Sequence, residues 1–353
     1  MSASPPEIPA TLGFHMPAEW RAHQATWLTW PKDPETWPDR VSQVEEIYIE
    51  MMAALTPHET VNLLVDDAAT EHAVRKRCTF ASADNIQFHH IPTVDSWIRD
   101  YGPNFLINDR GGAAFNDWIF NAWGNKYETL KHDNDVPLFL EPRLQLRRFE
   151  PAIVLEGGAI DVNGAGCVLT TEQCLLNPNR NPHLSREEIE DYLKSYLGVT
   201  KVLWLGEGII GDDTDGHIDD IARFVAPDTI ICAVEDDPED ANYELLHDNL
   251  QRLKSMTDVN GRGFEIVTLP MPGAVGGTST DTRNLDRLPA SYANFYVANN
   301  VVLAPVFGHA NDRRAVETLQ RVFRDRRVVA INCEPLVWGM GTIHCVTQQQ
   351  PRP

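Results

Sequence analysis

Apolar residues with helical spacing fill residues 41–55 and stop before Pro57, which predicts an amphipathic helix there. On either side the pattern changes to short apolar or alternating runs at 26–30, 61–65 and 86–91, read as strands, with a second helix expected over 68–78. Strands at 104–107 and 113–120 predict a hairpin turning on Gly111-Gly112. The stretch 121–141, rich in Asn, Asp and Trp and without clear periodicity, is expected to be a long loop or lid over a site. Further on, strands at 159–162 and 167–176 lead to a helix over 186–196 capped by Ser185. Strands follow at 202–205, 222–225 and 229–234, then a helix over 238–256 and a strand at 265–269. After a Gly- and Thr-rich loop at 276–282 come strands at 292–297 and 301–306, a helix over 313–324 and a strand at 328–331. Cys345, between a Gly-containing turn and a β-branched run, is placed at a strand boundary. Residues 1–12 are Pro-rich and read as an extended arm.

Strands and helices therefore alternate throughout, which sets the fold class as α/β. Polar junctions interrupt the alternation near Asp100, Glu156, His217 and Cys345, at intervals of about 60 residues or twice that. The spacing predicts five ββαβ-like units, the fourth contributing a junction within 276–294. Five such blades around an axis would each aim one loop at a shared central pocket, making residues 1–353 one unit.

Composition narrows the function more than the fold. Hydrophobic residues make up 42% and charged residues 23% of the chain, ordinary for a packed globular protein. A formal net charge of -21 argues against nucleic acid as a partner. Six cysteines occur without any CxxC spacing, so neither a zinc ribbon nor a disulfide framework is expected. The start of the chain lacks a basic and apolar leader pattern and no apolar run is long enough for a membrane span, so a cytoplasmic protein without membrane contact is expected. Gly157-Gly158 and Gly276-Gly277 lack Walker or GxGxxG spacing, so no nucleotide site is indicated.

The junctions hold the candidate chemistry. A cysteine with a remote histidine is the minimum for covalent catalysis, because a thiolate attacks and an imidazole moves protons. Cys345 and His217 supply those two groups, and Asp100, Glu156 and Asp219 add carboxylates that a simple cysteine protease has no use for. A planar guanidinium does use them, since its paired N–H groups match a carboxylate bidentately. Other readings remain open on these residues alone: Asp100 could pair with Arg99, His217 and Asp219 could face a metal, and Cys345 could be a structural thiol. No further His or Cys stands at ligand spacing, so no metal is expected.

The motifs around those residues carry a resemblance. Gly13-Phe14-His15-Met16-Pro17-Ala18-Glu19-Trp20, Asp95-Ser96-Trp97-Ile98-Arg99-Asp100-Tyr101-Gly102-Pro103, Leu155-Glu156-Gly157-Gly158, the run 169–182, Thr214-Asp215-Gly216-His217-Ile218-Asp219 and Ile343-His344-Cys345-Val346-Thr347-Gln348-Gln349 resemble the family of agmatine deiminases and bacterial peptidylarginine deiminases. That resemblance implies the pentein fold, a five-bladed α/β propeller. It implies Cys345 as nucleophile, His217 as general acid/base, Asp100 and Asp219 as the guanidinium grip, and Glu156 as the residue that orients or charge-balances His217. It further implies hydrolysis of agmatine to N-carbamoylputrescine and ammonia without a cofactor, a step toward putrescine and other polyamines. The alternative is deimination of protein arginine, which the missing leader pattern disfavours. An amidinotransferase, or a binding module that has lost its site, is a more distant alternative on the same fold. Asp95, Trp97 and Trp118 are candidates to meet the distal ammonium of the substrate, and a homodimer is allowed. Relatives often carry a Gly-rich run with Asn before Ile-His-Cys, whereas Met340 and Thr342 interrupt it here. His344, next to Cys345 on an expected strand, should face away from it.

Overall fold

In a computed structural model, which describes residues 7–276 and 287–353, the strands form five separate sheets of three or four strands. They share one construction. A leading strand pairs antiparallel with a central strand, which pairs parallel with a third, as in Ala222–Ala226, Thr229–Val234 and Glu265–Pro270. Tyr296–Ala298, Val301–Val306 and Arg327–Asn332 repeat the pattern, and so do Asp161–Val162, Cys167–Thr171 and Lys201–Leu205. Asn104–Asn108, Ala113–Asn116 and Arg147–Phe149 follow it too, with Phe14–His15 added on the outer edge. In the fifth sheet the leading strand comes from the other end of the chain. Gln348–Pro351 pairs with His23–Thr29, which continues in parallel to Thr60–Val65 and Ile86–His90.

Parallel neighbours cannot be joined by a tight turn and need a crossover, normally a helix. Val41–Leu55 is one such crossover, burying Val44, Ile47, Tyr48, Met51, Met52 and Leu55 along one stripe. Arg186–Leu197, Tyr243–Ser255 and Asp312–Val322 do the same in three other sheets, the first behind a capping box in which Ser185 and Glu188 satisfy each other's backbone N–H.

The same requirement corrects the reading of 121–141. That stretch joins two parallel strands, Ala113–Asn116 and Arg147–Phe149, and is largely helical: Ala122–Asn125, a 3₁₀ turn at Thr129–Asp135 and Val136–Leu144. Residues 9–12 are likewise a 3₁₀ turn rather than an extended arm, 172–175 form a helical turn after a strand that ends at Thr171, and the strand expected over 292–297 begins only at Tyr296. Most of the expected loop at 276–282 lies outside the described residues. Among the described residues no helix is long and apolar enough to cross a membrane.

The leading strands position the site. Each is preceded by a tight polar segment: Ile98–Tyr101, Gly157–Ala159 after Glu156, Ile218–Asp220 after His217, the turn holding Asn294, and the turns holding Cys345. Cys345 is thus in a turn three residues ahead of its strand and not on the strand itself.

Candidate active site

Three of these segments meet around Gly158. A methyl group on Gly158 would sit 2.6 Å from His217 Nδ1, 2.8 Å from Asp100 Oδ1 and 3.2 Å from Asp219 Oδ2, so three expected site residues surround one point that only a glycine leaves open. The Gly158 N–H donates to Asp100 Oδ1 at 2.9 Å and fixes that carboxylate. Trp123 Nε1 donates to its other oxygen, also at 2.9 Å. Cys345 Sγ lies 3.8 Å from Asp219 Oδ2. All five expected catalytic residues are buried: Asp100, Glu156, His217, Asp219 and Cys345 are at most 6% exposed.

The turn before the sheet led by Tyr296–Ala298 adds a residue that the sequence did not single out. Asn294 Nδ2 lies 3.2 Å from Cys345 Sγ, and its Oδ1 accepts from Thr342 Oγ1 at 2.8 Å and from the His344 N–H at 2.9 Å. Asn294 therefore ties the thiol to the turn that carries it. Thr342, one of the two departures from the usual glycine run, is the hydroxyl that completes this tie. Met340, the other, holds a left-handed φ of 72° and lines the cavity. Between them, Gly341 leaves the space over the sulfur: a methyl there would meet the Trp97 ring at 2.7 Å and Cys345 Sγ at 3.1 Å.

Glu156 does not hydrogen-bond His217. Its Oε1 accepts from Arg180 Nε at 2.7 Å, and its Oε2 is buried without a partner. Glu156, Cys174 and His217 bring ligand-type atoms within 4.8 Å of one another, so Glu156 acts on the imidazole through its charge. Arg180 also holds Asp215 Oδ2 at 2.7 Å and Thr214 O at 2.8 Å, joining the segment of Glu156 to that of His217. Asp219, Asp220 and Cys345 form a second cluster of potential metal ligands. In both clusters a protein side chain already engages a carboxylate, the Arg180 guanidinium at Glu156 and the His344 ring at Asp219.

Charge sets the protonation states. Burial opposes a charge on His217, but Asp100, Cys174 and Glu156 together outweigh it and hold the imidazole well above its ordinary pKa. Burial, with Asp219 and Glu156 nearby, raises Asp100 to about 6 even though His217 pulls the other way. Burial also raises Cys345 well above the usual thiol range, helped by Asp219, Asp220 and Asp100. For Asp219 the balance is reversed: burial is overcome by His344, His217 and Arg223, and its pKa is lowered. These shifts favour the neutral thiol at Cys345 and the charged imidazole at His217.

A cavity of about 500 Å³ opens onto Cys345 and Asp100. Six carboxylates line it, Asp33, Glu35, Asp95, Asp100, Glu128 and Asp213, with Trp97, Trp123, Tyr127 and Trp338, and no Lys, Arg or His is among the lining residues. Asp95 and Trp97 stand in the wall as expected, but Asp95 already accepts from Thr36 Oγ1, the Ser96 N–H and Trp97 Nε1 at 2.7–2.9 Å. Trp118 is not brought to the cavity. It packs in a separate core with Met16 and Leu106, donates to Asn104 Oδ1 and stacks edge-on against Tyr196, because the inward face of its extended segment points to that core. Trp123, five residues on, takes the place foreseen for it, on a backbone with positive φ at Ala122, Trp123, Gly124 and Asn125 that no periodicity could announce.

His344 is absent from the cavity wall, yet it is no bystander. Cys345 lies in turns rather than on a strand, so strand alternation does not apply, and the His344 ring bonds Asp219 Oδ2 at 2.6 Å from behind.

Known proteins are similar to this chain over nearly their full length. An agmatine deiminase from Ectopseudomonas mendocina is 39% identical, the match covering 98% of this chain and 97% of that one. The solved agmatine deiminase of Enterococcus faecalis superposes with a TM-score of 0.92 at 35% identity over 100% of both chains, and that of Campylobacter jejuni with 0.83 at 29% over 96% of both. Residues 15–351 match the Porphyromonas-type peptidyl-arginine deiminase family, and the chain belongs to that family.

Proposed function

We propose that the protein hydrolyses agmatine to N-carbamoylputrescine and ammonia through a covalent intermediate on Cys345. The observation that carries this reading is the cavity: six carboxylates, four aromatic rings and no basic side chain in its wall suit a slender dication, and it opens onto the Cys345 thiol and Asp100, with Asp219 Oδ2 3.8 Å from the sulfur. The family relatives named for agmatine support the same substrate.

In this reading Asp100 and Asp219 grip the guanidinium and hold its central carbon over the sulfur. The arriving cation offsets the carboxylates that keep Cys345 neutral, so the thiol loses its proton to solvent as substrate binds. The thiolate adds to the central carbon. His217 donates its proton to one nitrogen, the C–N bond breaks and ammonia leaves, giving an S-alkylthiouronium. The now neutral His217 takes a proton from water, and the oxygen adds to the same carbon. The C–S bond then breaks to return the thiolate and release the ureido product with a proton, which ammonia takes up. The sum is guanidinium plus water to urea plus ammonium, and no step calls for a metal or organic cofactor. Glu156 serves by keeping His217 charged until the leaving group needs its proton.

The five sheets, each sending one segment to this site, are read as the blades of a five-bladed propeller forming one catalytic unit. The test is ammonia release from agmatine, free arginine and a blocked arginine peptide measured side by side. Release from agmatine alone supports the assignment, and citrulline formed in the peptide would replace it with protein deimination.

A further inference from the structure

Behind the cavity lies a row of buried charges that the reaction above does not use. His344 Nδ1 is 2.6 Å from Asp219 Oδ2 and Nε2 is 2.7 Å from Glu19 Oε2, with the histidine 2% exposed. A carboxylate can only accept, so two ionised carboxylates at these distances require both ring nitrogens to donate: the ring is an imidazolium. Glu19 is itself fixed, with Oε2 2.9 Å from Arg223 Nη2 and 3.5 Å from Arg99 Nη2, while Oε1 accepts the Val297 N–H at 2.8 Å. Arg99 in turn donates to the side-chain oxygens of Gln348 and Gln349 and to His344 O. The N-terminal segment around Glu19 thereby braces the C-terminal segment that carries Cys345.

We infer that His344 is a positioning residue, a fixed imidazolium clamped by Glu19 that keeps Asp219 ionised and aimed at the substrate guanidinium. The inference rests on the guanidine-hydrolase reading of the site. Asp219 is otherwise poorly placed to carry a charge. It is fully buried, it shares its surroundings with Asp100, Asp220 and the Cys345 thiol, and its Oδ1 has no hydrogen-bond partner. Opposing these stand only cations: His344 in direct contact, with His217 and Arg223 nearby. Burial pushes Asp219 up, but His344 and the remaining cations outweigh it and leave the carboxyl below its ordinary pKa, whereas Asp100, which His217 faces only at 3.7 Å, rises to about 6. The two grip carboxylates are thus held differently: one waits for the substrate's charge and the other is charged beforehand.

His344→Gln keeps an amide donor against Asp219 but removes the charge. Asp219 should then titrate higher, moving the acidic limb of kcat/KM for agmatine upward by about one pH unit, a tenfold loss at pH values below it, with KM rising more than kcat falls. A second readout does not depend on turnover. Cys345 faces Asp219, Asp220 and Asp100, with the buried Tyr48 hydroxyl nearby. Once Asp219 is neutral the thiol ionises more easily, so alkylation of Cys345 by iodoacetamide at pH 6, followed by peptide mass, should become several-fold faster in the variant than in the wild type. Activity and thiol reactivity therefore move in opposite directions, which loss of structure would not produce. Glu19→Gln removes the clamp while leaving His344 in place and should shift both readouts the same way by less. An unchanged acidic limb together with unchanged alkylation in both variants would overturn the inference. Shifted alkylation without agmatine turnover would instead leave His344 in its role and remove the substrate assignment.

Discussion

At the scale of single residues, the chemistry depends on where bulk and charge are absent. Gly341→Ala would place a methyl within 3.1 Å of Cys345 Sγ and against the Trp97 ring, so kcat/KM should fall by about 100-fold or more while thermal unfolding changes little, because the methyl fills the substrate's space. Asp219 and Asp220 adjoin in sequence but differ in state. Burial, with Asp219 and Asp212 beside it, raises Asp220 well above the ordinary carboxylate range, and Asp220 Oδ1 accepts from Asn294 Nδ2 at 3.0 Å, away from the grip on the substrate. Asp220→Asn should retain most activity and Asp219→Asn should lose it, as steady-state rates at pH 8 would show. Asp100 gives a pH signature. Its folded pKa of about 6 lies above its ordinary value, so ionising it between those limits costs stability that a bound cation restores. Agmatine should therefore raise the unfolding temperature of the Cys345→Ser protein more at pH 8 than at pH 5. Cys345, His217, Asp100 and Asp219 could be named as candidates from sequence because they sit in three compact motifs, His217 and Asp219 sharing one. Asn294 could not, since Ser291 to Asn294 reads as an ordinary turn and its meaning lies in three contacts with residues some fifty positions away.

At the scale of elements, Arg180 is the fastening between two of the segments. Its side chain is fully buried and reaches Glu156, Asp215, Asn179 and Thr214 O. Replacing it with Met would leave Glu156 as an unpaired buried charge, a loss of about 3–5 kcal/mol measurable by denaturant unfolding, accompanied by loss of activity. The elements with periodic apolar faces, 41–55 above all, were legible to the residue. The crossover at 121–141 was not, because its short helices carry positive-φ turns, an internal Pro142 and little apolar periodicity. What identifies it is topology, the need to join two parallel strands, and topology is visible only once the strands are paired.

At the scale of the whole molecule, the chain is closed by its own ends. Gln348–Pro351 supplies the leading strand of the sheet built on His23–Thr29, and Gln348 and Gln349 satisfy the buried Arg99. Ending the chain after Thr347 would remove that strand and leave Arg99 without those acceptors, so the shortened protein should lose its cooperative unfolding transition although Cys345 is still present. The alternation of strands and helices and the interval of about 60 residues predicted five units, and the strands among the described residues form five sheets. That the last unit borrows its central strand from the N-terminus was not readable, because pairing between distant ends leaves no local pattern. The central claim, that five segments assemble a thiol that attacks a guanidinium, is tested most directly by acid-quenching the full-length protein during turnover of agmatine and measuring the mass of the peptide containing Cys345. An adduct equal to agmatine less ammonia, confined to Cys345, is the predicted result. An unmodified Cys345 peptide throughout turnover, with undiminished ammonia release by Cys345→Ser, would contradict it.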